Sequence, residues 1–308
     1  MGLGIVFSGQ GNQYPEMYAK VGAALNPADI KTIADALKIN VLPKIDLTPE
    51  QLFSNHYAQP LIASHGFLVW NTLKKDLPEP VAFAGYSLGE VTALACACDF
   101  SLEELLAVTQ TRAQLMSAPI GTTSGLLAVS GVEATTLNNI CQTHHCALAI
   151  INAPRSLIIG GSIADLTQCQ IAFQQLPGQI HLQWLKVEVA AHTSLLAKAS
   201  ADFANYLTQF NNKNLNTRII SSINTHVQYQ TAEAFTALAG QIHQTVNFAG
   251  VIKVLSELGA DVILEIGPGK SLSKIIQQQG LPLTVKSIDD FKTPAEVAHW
   301  IKSKCRVD

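Results

Sequence analysis

The sequence predicts an α/β fold, a parallel-sheet core interrupted by a smaller βαββαβ subdomain. Three observations carry this. Short apolar runs at Leu3–Ser8, Val81–Ala84 and Asp261–Ile266 each read as a strand reaching a glycine-bearing turn, and the latter two are followed at once by a helix. Residues 124–188 carry strand-like and helical segments in the order βαββαβ, a self-contained pattern of its own. With 308 residues, 48% hydrophobic and 14% charged, the chain can bury a sizeable core. The expected division is a larger unit of residues 1–121 and 189–308, with 122–188 inserted into it.

Composition excludes several classes of function. A net charge of −3 and a pI near 6.3 leave no general basic surface, so nucleic acid is not expected as a partner. Mean hydropathy is +0.22, yet no run of about 18 uncharged apolar residues occurs, so no membrane span is expected. The chain enters an apolar strand pattern at once, without the basic segment and cleavage site of a signal peptide. Gly2 does not complete a myristoylation pattern, because Val6 stands where Ser or Thr is needed. Cys96, Cys98, Cys141, Cys146, Cys169 and Cys305 show no disulfide-scaffold spacing. Cys96 and Cys98 lie two apart on a helix and point to different faces, and His144–His145 with Cys141 and Cys146 match no standard zinc set. Reduced cysteines, a cytoplasmic location and no metal are the expectation.

The first strand ends in Gly9-Gln10-Gly11-Asn12-Gln13. This is not a dinucleotide fingerprint, because Tyr14 occupies the third glycine position, but a loop leaving a strand end can offer a backbone N–H to an oxyanion. Residues 20–55 alternate helical and loop signals. From Gln59-Pro60 to Leu73 the spacing of Leu61, Ser64-His65, Leu68 and Leu73 predicts a buried helix, in which His65 reads as an interior histidine. The run Val81–Ala84 then reaches Gly85-Tyr86-Ser87-Leu88-Gly89 and an alanine-rich helix. That is the strand, turn and helix context in which G-x-S-x-G lifts a serine nucleophile out of the sheet edge. Ser87 would sit at a helix N-terminus, where free N–H groups favour negative charge. The alternative is an ordinary glycine-rich turn, and the pentapeptide alone does not separate the two.

Ser101-Leu102-Glu103-Glu104 is a capping box opening a helix through about Met116. At 100° per residue, Arg112 falls inside the stripe of Leu105, Val108, Leu115 and Met116. A guanidinium on a buried face is costly unless an anion meets it. Three readings stay open: an internal ion pair, with Glu90 as a candidate, snorkelling to the surface, or an anion that arrives with the substrate.

Breakers from Pro119 to Ser124 precede the βαββαβ unit, whose order is that of a ferredoxin-like subdomain. Its strands are predicted at Gly125–Ser130, Ala147–Ile151, Leu157–Gly160 and 181–187, with helices over 133–143 and 163–175. The chain re-enters the larger unit at Val189-Ala190-Ala191-His192, where His192 is expected to close a strand-like run ahead of an amphipathic helix. A histidine at such a junction can act as general base toward a neighbouring elbow. Arg218–Ile223 reads as a strand, residues 231–258 as helices, and Asp261–Ile266 as the last core strand. The following Gly267-Pro268-Gly269-Lys270-Ser271 is no Walker loop, since Leu264 replaces its first glycine. It reads as a structural turn whose helix N-terminus could also meet a phosphate.

The ordered segments GQGNQ from Gly9, GYSLGE from Gly85, TRAQLM from Thr111, NAP from Asn152, VAAHTSLL from Val189 and EIGPGKSL from Glu265 span nearly the whole chain. In that order they resemble the malonyl-CoA:acyl carrier protein transacylases. Within that family GYSLGE with its tyrosine, RAQLM and QTVNF are most similar to malonate decarboxylase epsilon-type subunits; the usual fatty-acid enzyme has histidine where Tyr86 stands.

The resemblance implies a hydrolase-like parallel-sheet core with the ferredoxin-like insert. It also implies roles: Ser87 as nucleophile, His192 as its base, backbone N–H groups of Gln10 and Leu88 as the oxyanion hole, and Arg112 as the clamp on a malonyl carboxylate. The implied reaction is ping-pong transfer of malonyl from coenzyme A to Ser87 and on to the phosphopantetheine or related arm of an acyl carrier protein, with no metal or tightly bound cofactor. The carrier could serve fatty acid biosynthesis, polyketide assembly or malonate decarboxylation. The family usually places a glutamine beside the histidine in the segment matching QTVNF. Asn247 stands there, one methylene shorter, as the expected histidine support, with a backbone carbonyl as the alternative. Two competing readings are a thioester hydrolase on the same scaffold and a non-catalytic docking subunit for a carrier protein. The first would not need Arg112 for neutral acyl chains, and the second would not need the Ser, His and Arg set.

Overall fold

A computed structural model describes residues 1–19, 25–118, 121 and 123–305. Residues 20–24 of the stretch expected to alternate helix and loop lie outside the described residues, as do Pro119, Ile120 and Thr122 of the breaker cluster. The chain opens with β1 (Gly2–Phe7), then α1 (Pro27–Leu37), α2 (Pro49–Phe53), α3 (Asn55–Leu73) and β2 (Ala82–Gly85). Two helices follow, α4 (Leu88–Ala97) and α5 (Leu102–Met116). Next come β3 (Ser124–Ser130), α6 (Ala134–Thr143), β4 (Ala147–Ala153), β5 (Ser156–Ser162), α7 (Ile163–Gln174) and β6 (His181–Trp184). The chain continues with α8 (Ala197–Leu207), β7 (Ile219–Ile220), β8 (Val227–Gln228), α9 (Thr231–Gln241) and β9 (Val246–Asn247). It closes with α10 (Phe248–Glu257), β10 (Ala260–Ile266), α11 (Ser271–Gln278), β11 (Thr284–Ser287) and α12 (Pro294–Lys304).

The first sheet has the order β11-β10-β1-β2-β7-β8, parallel except for β8. Its central strand shows why the apolar runs are unbroken. Leu3, Ile5 and Phe7 of β1 pack in one core with α3, α4 and α5, whereas Val6 packs in another with α10. A strand covered on both faces has no position to spare for water.

The second sheet has the order β6-β3-β5-β4-β9. Strands β3 to β6 pair antiparallel with one another and follow the βαββαβ order that the spacing predicts. The fifth strand is a departure from a self-contained unit: β9 comes from the later part of the chain and pairs in parallel with β4, Ile150 opposite Val246. The two sheets also share a core, with Leu126, Ile150 and Ile158 clustered with Val6, Ala82, Ala84 and α10.

Several boundaries differ from expectation, each for a local reason. The strand predicted over 218–223 shrinks to Ile219–Ile220, because Ser221 to His226 fold back in a turn with Asn224 Oδ1 accepting from His226 N at 2.9 Å. The strand predicted over 181–187 stops at Trp184, so His192 sits in a turn and not at a strand end. The capping box at α5 forms as expected, with Glu104 N to Ser101 Oγ at 3.1 Å and Ser101 N to Glu104 Oε2 at 2.7 Å. At the GPGKS turn the buried Glu265 carboxylate accepts from Leu272 N at 3.1 Å, Ser273 N at 2.8 Å and Ser273 Oγ at 2.6 Å. The chain's own acid therefore occupies the N-terminus of α11, and a phosphate there would face like charge. The structural reading of that turn holds.

The passage from β2 to α4 needs its glycines. A Cβ on Gly85 would lie 2.0 Å from Glu90 N, and one on Gly89 would lie 2.0 Å from Phe7 O, both rigid backbone atoms. Gly89→Ala is expected to cost at least about 2 kcal/mol of stability by overpacking. Urea denaturation of the two proteins measures it, and an unchanged midpoint would show that β1 and α4 can separate freely.

Candidate active site

The tight turn between β2 and α4 places Ser87 at φ 52°, ψ −113°, a conformation that side-chain-bearing residues rarely adopt. The turn lifts the hydroxyl off the sheet edge and aims it at the loop before α8. There His192, also at positive φ (64°), presents Nε2 at 2.8 Å from Ser87 Oγ. The loop is pinned from two directions: His192 N donates to Ile242 O at 2.8 Å, and Thr193 Oγ1 donates to Ala190 O at 2.7 Å.

The other ring nitrogen fixes the tautomer. His192 Nδ1 lies 2.6 Å from the backbone carbonyl of Gln241, and a carbonyl can only accept. The proton therefore resides on Nδ1, and the Nε2 lone pair is free to take the serine proton. Burial lowers the His192 pKa to about 4; the Gln241 carbonyl opposes this and the nearby Arg112 charge reinforces it. The imidazole is neutral at physiological pH.

Asn247 does not support the histidine. Its side-chain oxygen caps α10, accepting from Gly250 N at 2.9 Å, and the group that meets His192 Nδ1 is the backbone carbonyl of Gln241. Gln241 was missed in the sequence. The signal was available: it ends the face on which α9 buries Ala234 and Leu238, and a polar side chain at such a position needs a partner.

Arg112 is fully buried on α5. Its Nη1 donates to Gln59 Oε1 at 2.8 Å and its Nη2 to Gln241 Oε1 at 3.4 Å, while Nε has no hydrogen-bond partner. Both partners are neutral amides. The ion pair with Glu90 that the sequence allowed is not a direct contact, because the Gln241 amide stands between them: Gln241 Nε2 donates to Glu90 Oε2 at 2.5 Å. Burial lowers the Arg112 pKa to about 10, which leaves it charged, and the Glu90 charge pulls the other way.

Ser87, His192, Gln10 and Tyr86 line a cleft walled by Leu126, Ile150 and Ile158 of the second sheet and by Val187 and Val189 of the loop. Gln10 is held by its side chain, which donates to Asn55 Oδ1 at 3.1 Å; Asn55 in turn reaches Ser117 Oγ at 3.1 Å. Leu88 is the first residue of α4, where backbone N–H groups have no intrahelical acceptor. The Gln10 loop packs on the elbow so closely that a Cβ at Gly9 would lie 2.5 Å from Tyr86 O. His65 is elsewhere, with Nε2 at 3.1 Å from Met17 O and its ring edge-on to Tyr18. Among the described residues no group of three or more His, Cys, Asp or Glu side chains is placed to hold a metal ion, and no helix is long and apolar enough to cross a membrane.

The sequence matches the family described as acyl transferase domain over residues 5–306. It is 25% identical over 298 residues to the malonyl CoA-acyl carrier protein transacylase of Haemophilus influenzae, covering 93% of this chain and 95% of that protein. Among solved structures, FabD from Acinetobacter baumannii superposes with a TM-score of 0.85 at 25% identity, covering 98% of this chain and 99% of that one. A malonyl-transacylase solved in complex with a type II PKS acyl-carrier protein has the same fold, with a TM-score of 0.88 at 22% identity over 99% of this chain and 100% of that one.

The depressed His192 pKa has a consequence with a definite sign. Between about pH 6.5 and 4 the unfolded chain binds a proton at this position that the folded chain refuses, so stability falls as the pH drops through that window and is fully present above it. An NMR titration of the histidine Cε1–H resonances, with His192→Gln for assignment, is expected to show this ring still neutral at pH 6. A midpoint near 6.5 would contradict the burial argument.

Proposed function

The chain belongs to the acyl transferase domain family, and from that premise we propose that it moves a malonyl group from coenzyme A to the thiol arm of an acyl carrier protein through an ester on Ser87. One observation carries the choice of acyl group: a buried guanidinium, joined to the Ser87–His192 pair through Gln241, whose partners are neutral and whose Nε is unpartnered. A buried cation of this kind is complementary to an arriving carboxylate, and the free carboxylate of a malonyl thioester supplies one.

In this reading Ser87 Oγ attacks the thioester carbonyl as its proton passes to His192 Nε2. Backbone N–H groups of Gln10 and Leu88 receive the developing oxyanion. The C–S bond breaks, and the coenzyme A thiolate takes the proton back from Nε2. The second half runs in reverse chemistry: the carrier thiol gives its proton to Nε2, its sulfur attacks the ester, and the C–O bond to Ser87 breaks as the proton returns to the serine. The imidazole needs to be neutral at the start of each half, which burial favours, while the Gln241 carbonyl keeps its one proton on Nδ1. The similarity of GYSLGE, TRAQLM and QTVNF to malonate decarboxylase epsilon-type subunits makes the carrier protein of that system the first acceptor to test.

Intact-mass spectrometry after addition of malonyl-CoA is expected to show one malonyl adduct, lost on adding a carrier protein and absent from Ser87→Ala. An adduct on the Ser87→Ala protein would move the nucleophile elsewhere, and discharge without any carrier would point to hydrolysis.

Arg112→Ala separates the clamp from a structural cation. Truncating one partner of a charge-assisted pair is expected to lower acylation by malonyl-CoA relative to acetyl-CoA by about tenfold or more. Equal losses for both thioesters, with a lowered melting temperature, would mean that Arg112 only holds the fold.

A further inference from the structure

Glu90, on the first turn of α4, is 2% exposed and takes no part in the chemistry above. A buried acid so close to the reacting serine needs a reason. Its carboxylate accepts from Ser222 Oγ and from Gln241 Nε2, and Gln241 Nε2 also lies 3.2 Å from the Ser87 carbonyl and 3.1 Å from Ser222 Oγ. The same side chain turns its oxygen to Arg112 Nη2. One amide thus stands between a carboxylate, which only accepts, and a guanidinium, which only donates, and only one of its two orientations satisfies both.

We propose that Glu90 is a positioning residue for acyl transfer: it orients the Gln241 side chain so that the amide holds the Ser87 carbonyl with its nitrogen and the Arg112 guanidinium with its oxygen. The inference rests on the malonyl-transfer reading. Without the carboxylate the amide nitrogen loses its shortest acceptor and is held only by the Ser87 carbonyl at 3.2 Å and Ser222 Oγ at 3.1 Å, so the orientation is weakened. The neutral amide introduced by Glu90→Gln can meet Gln241 with either end, and in one arrangement the Gln241 N–H₂ turns onto the guanidinium, donor against donor. The Arg112 geometry then degrades, whereas the His192 contact survives because it comes from the backbone of Gln241. Burial raises the Glu90 pKa to about 7, against the hydrogen bonds from Ser222 and Gln241 and the field of Arg112 on α5, so the carboxylate is the main form at pH 8.

The test is a double-mutant cycle at pH 8 on the full chain, with Glu90→Gln, Gln241→Met and both together, reading acylation by malonyl-CoA and acetyl-CoA beside a thermal unfolding curve. Glu90→Gln is expected to cut the malonyl-over-acetyl preference about tenfold, Gln241→Met to do the same, and the double variant to lose no more than either. A preference within twofold of wild type, equal losses on both thioesters, or independent losses in the double variant would overturn the proposal. If Glu90→Gln does not fold, Glu90→Asp, which keeps the charge but withdraws it by one methylene, is read in the same way. A wild-type protein inert to malonyl-CoA would bring down the functional reading together with this one; an active wild type with an unmoved preference brings down Glu90 alone.

Discussion

The contact on which the site depends is the hydrogen bond from His192 Nδ1 to the carbonyl of Gln241. It settles which nitrogen carries the proton, and so which can receive one from Ser87. Because the acceptor is backbone at the last residue of α9, its position is set by the packing of Phe235, Leu238 and Ile242 in the large core and not by a side-chain rotamer. A neutral acceptor also leaves the imidazole without the compensation an aspartate would give. Burial is then free to depress the pKa, and the ring stays unprotonated over a wide range.

A second layer of polar groups lies beneath this contact. Gln59, Glu90, Arg112, Ser222 and Gln241 are all buried, on elements far apart in the chain, and each meets at least one of the others. Such a network is stabilising only when every member is matched, so the fold has to bring α3, α4, α5, α9 and the turn after β7 to a common point. Within it the Arg112 Nε is left without a hydrogen-bond partner.

How much of this was legible in the sequence follows from how local each signal is. The elbow was readable because strand, glycines and serine are contiguous, and the glycines at positions 85 and 89 answer to clashes within a few residues or with the next strand. Arg112 stood out because its spacing contradicts its charge. His192 meets Ser87 from a turn and not from the strand end expected of it, since a tertiary contact to Ile242 and not a strand shapes that loop. Asn247 drew attention by its place in a motif, yet its side chain serves the helix it begins, a competition any Asn before a helix invites. Pairing of β9 with β4 had no local signal, because two residues of strand carry no pattern and their partner lies almost a hundred positions away.

That short strand has a mechanical meaning. The backbone between Gln241 and Asn247 is anchored at one end under the imidazole and at the other in the edge of the second sheet. The walls of the cleft from Leu126, Ile150 and Ile158 belong to that same sheet. The wall of the cleft and the peptide that meets His192 Nδ1 are therefore parts of one girder. A sideways swing of the sheet would drag the girder's far end and pull the Gln241 carbonyl from the ring, so the second sheet and the His192 contact are mechanically coupled.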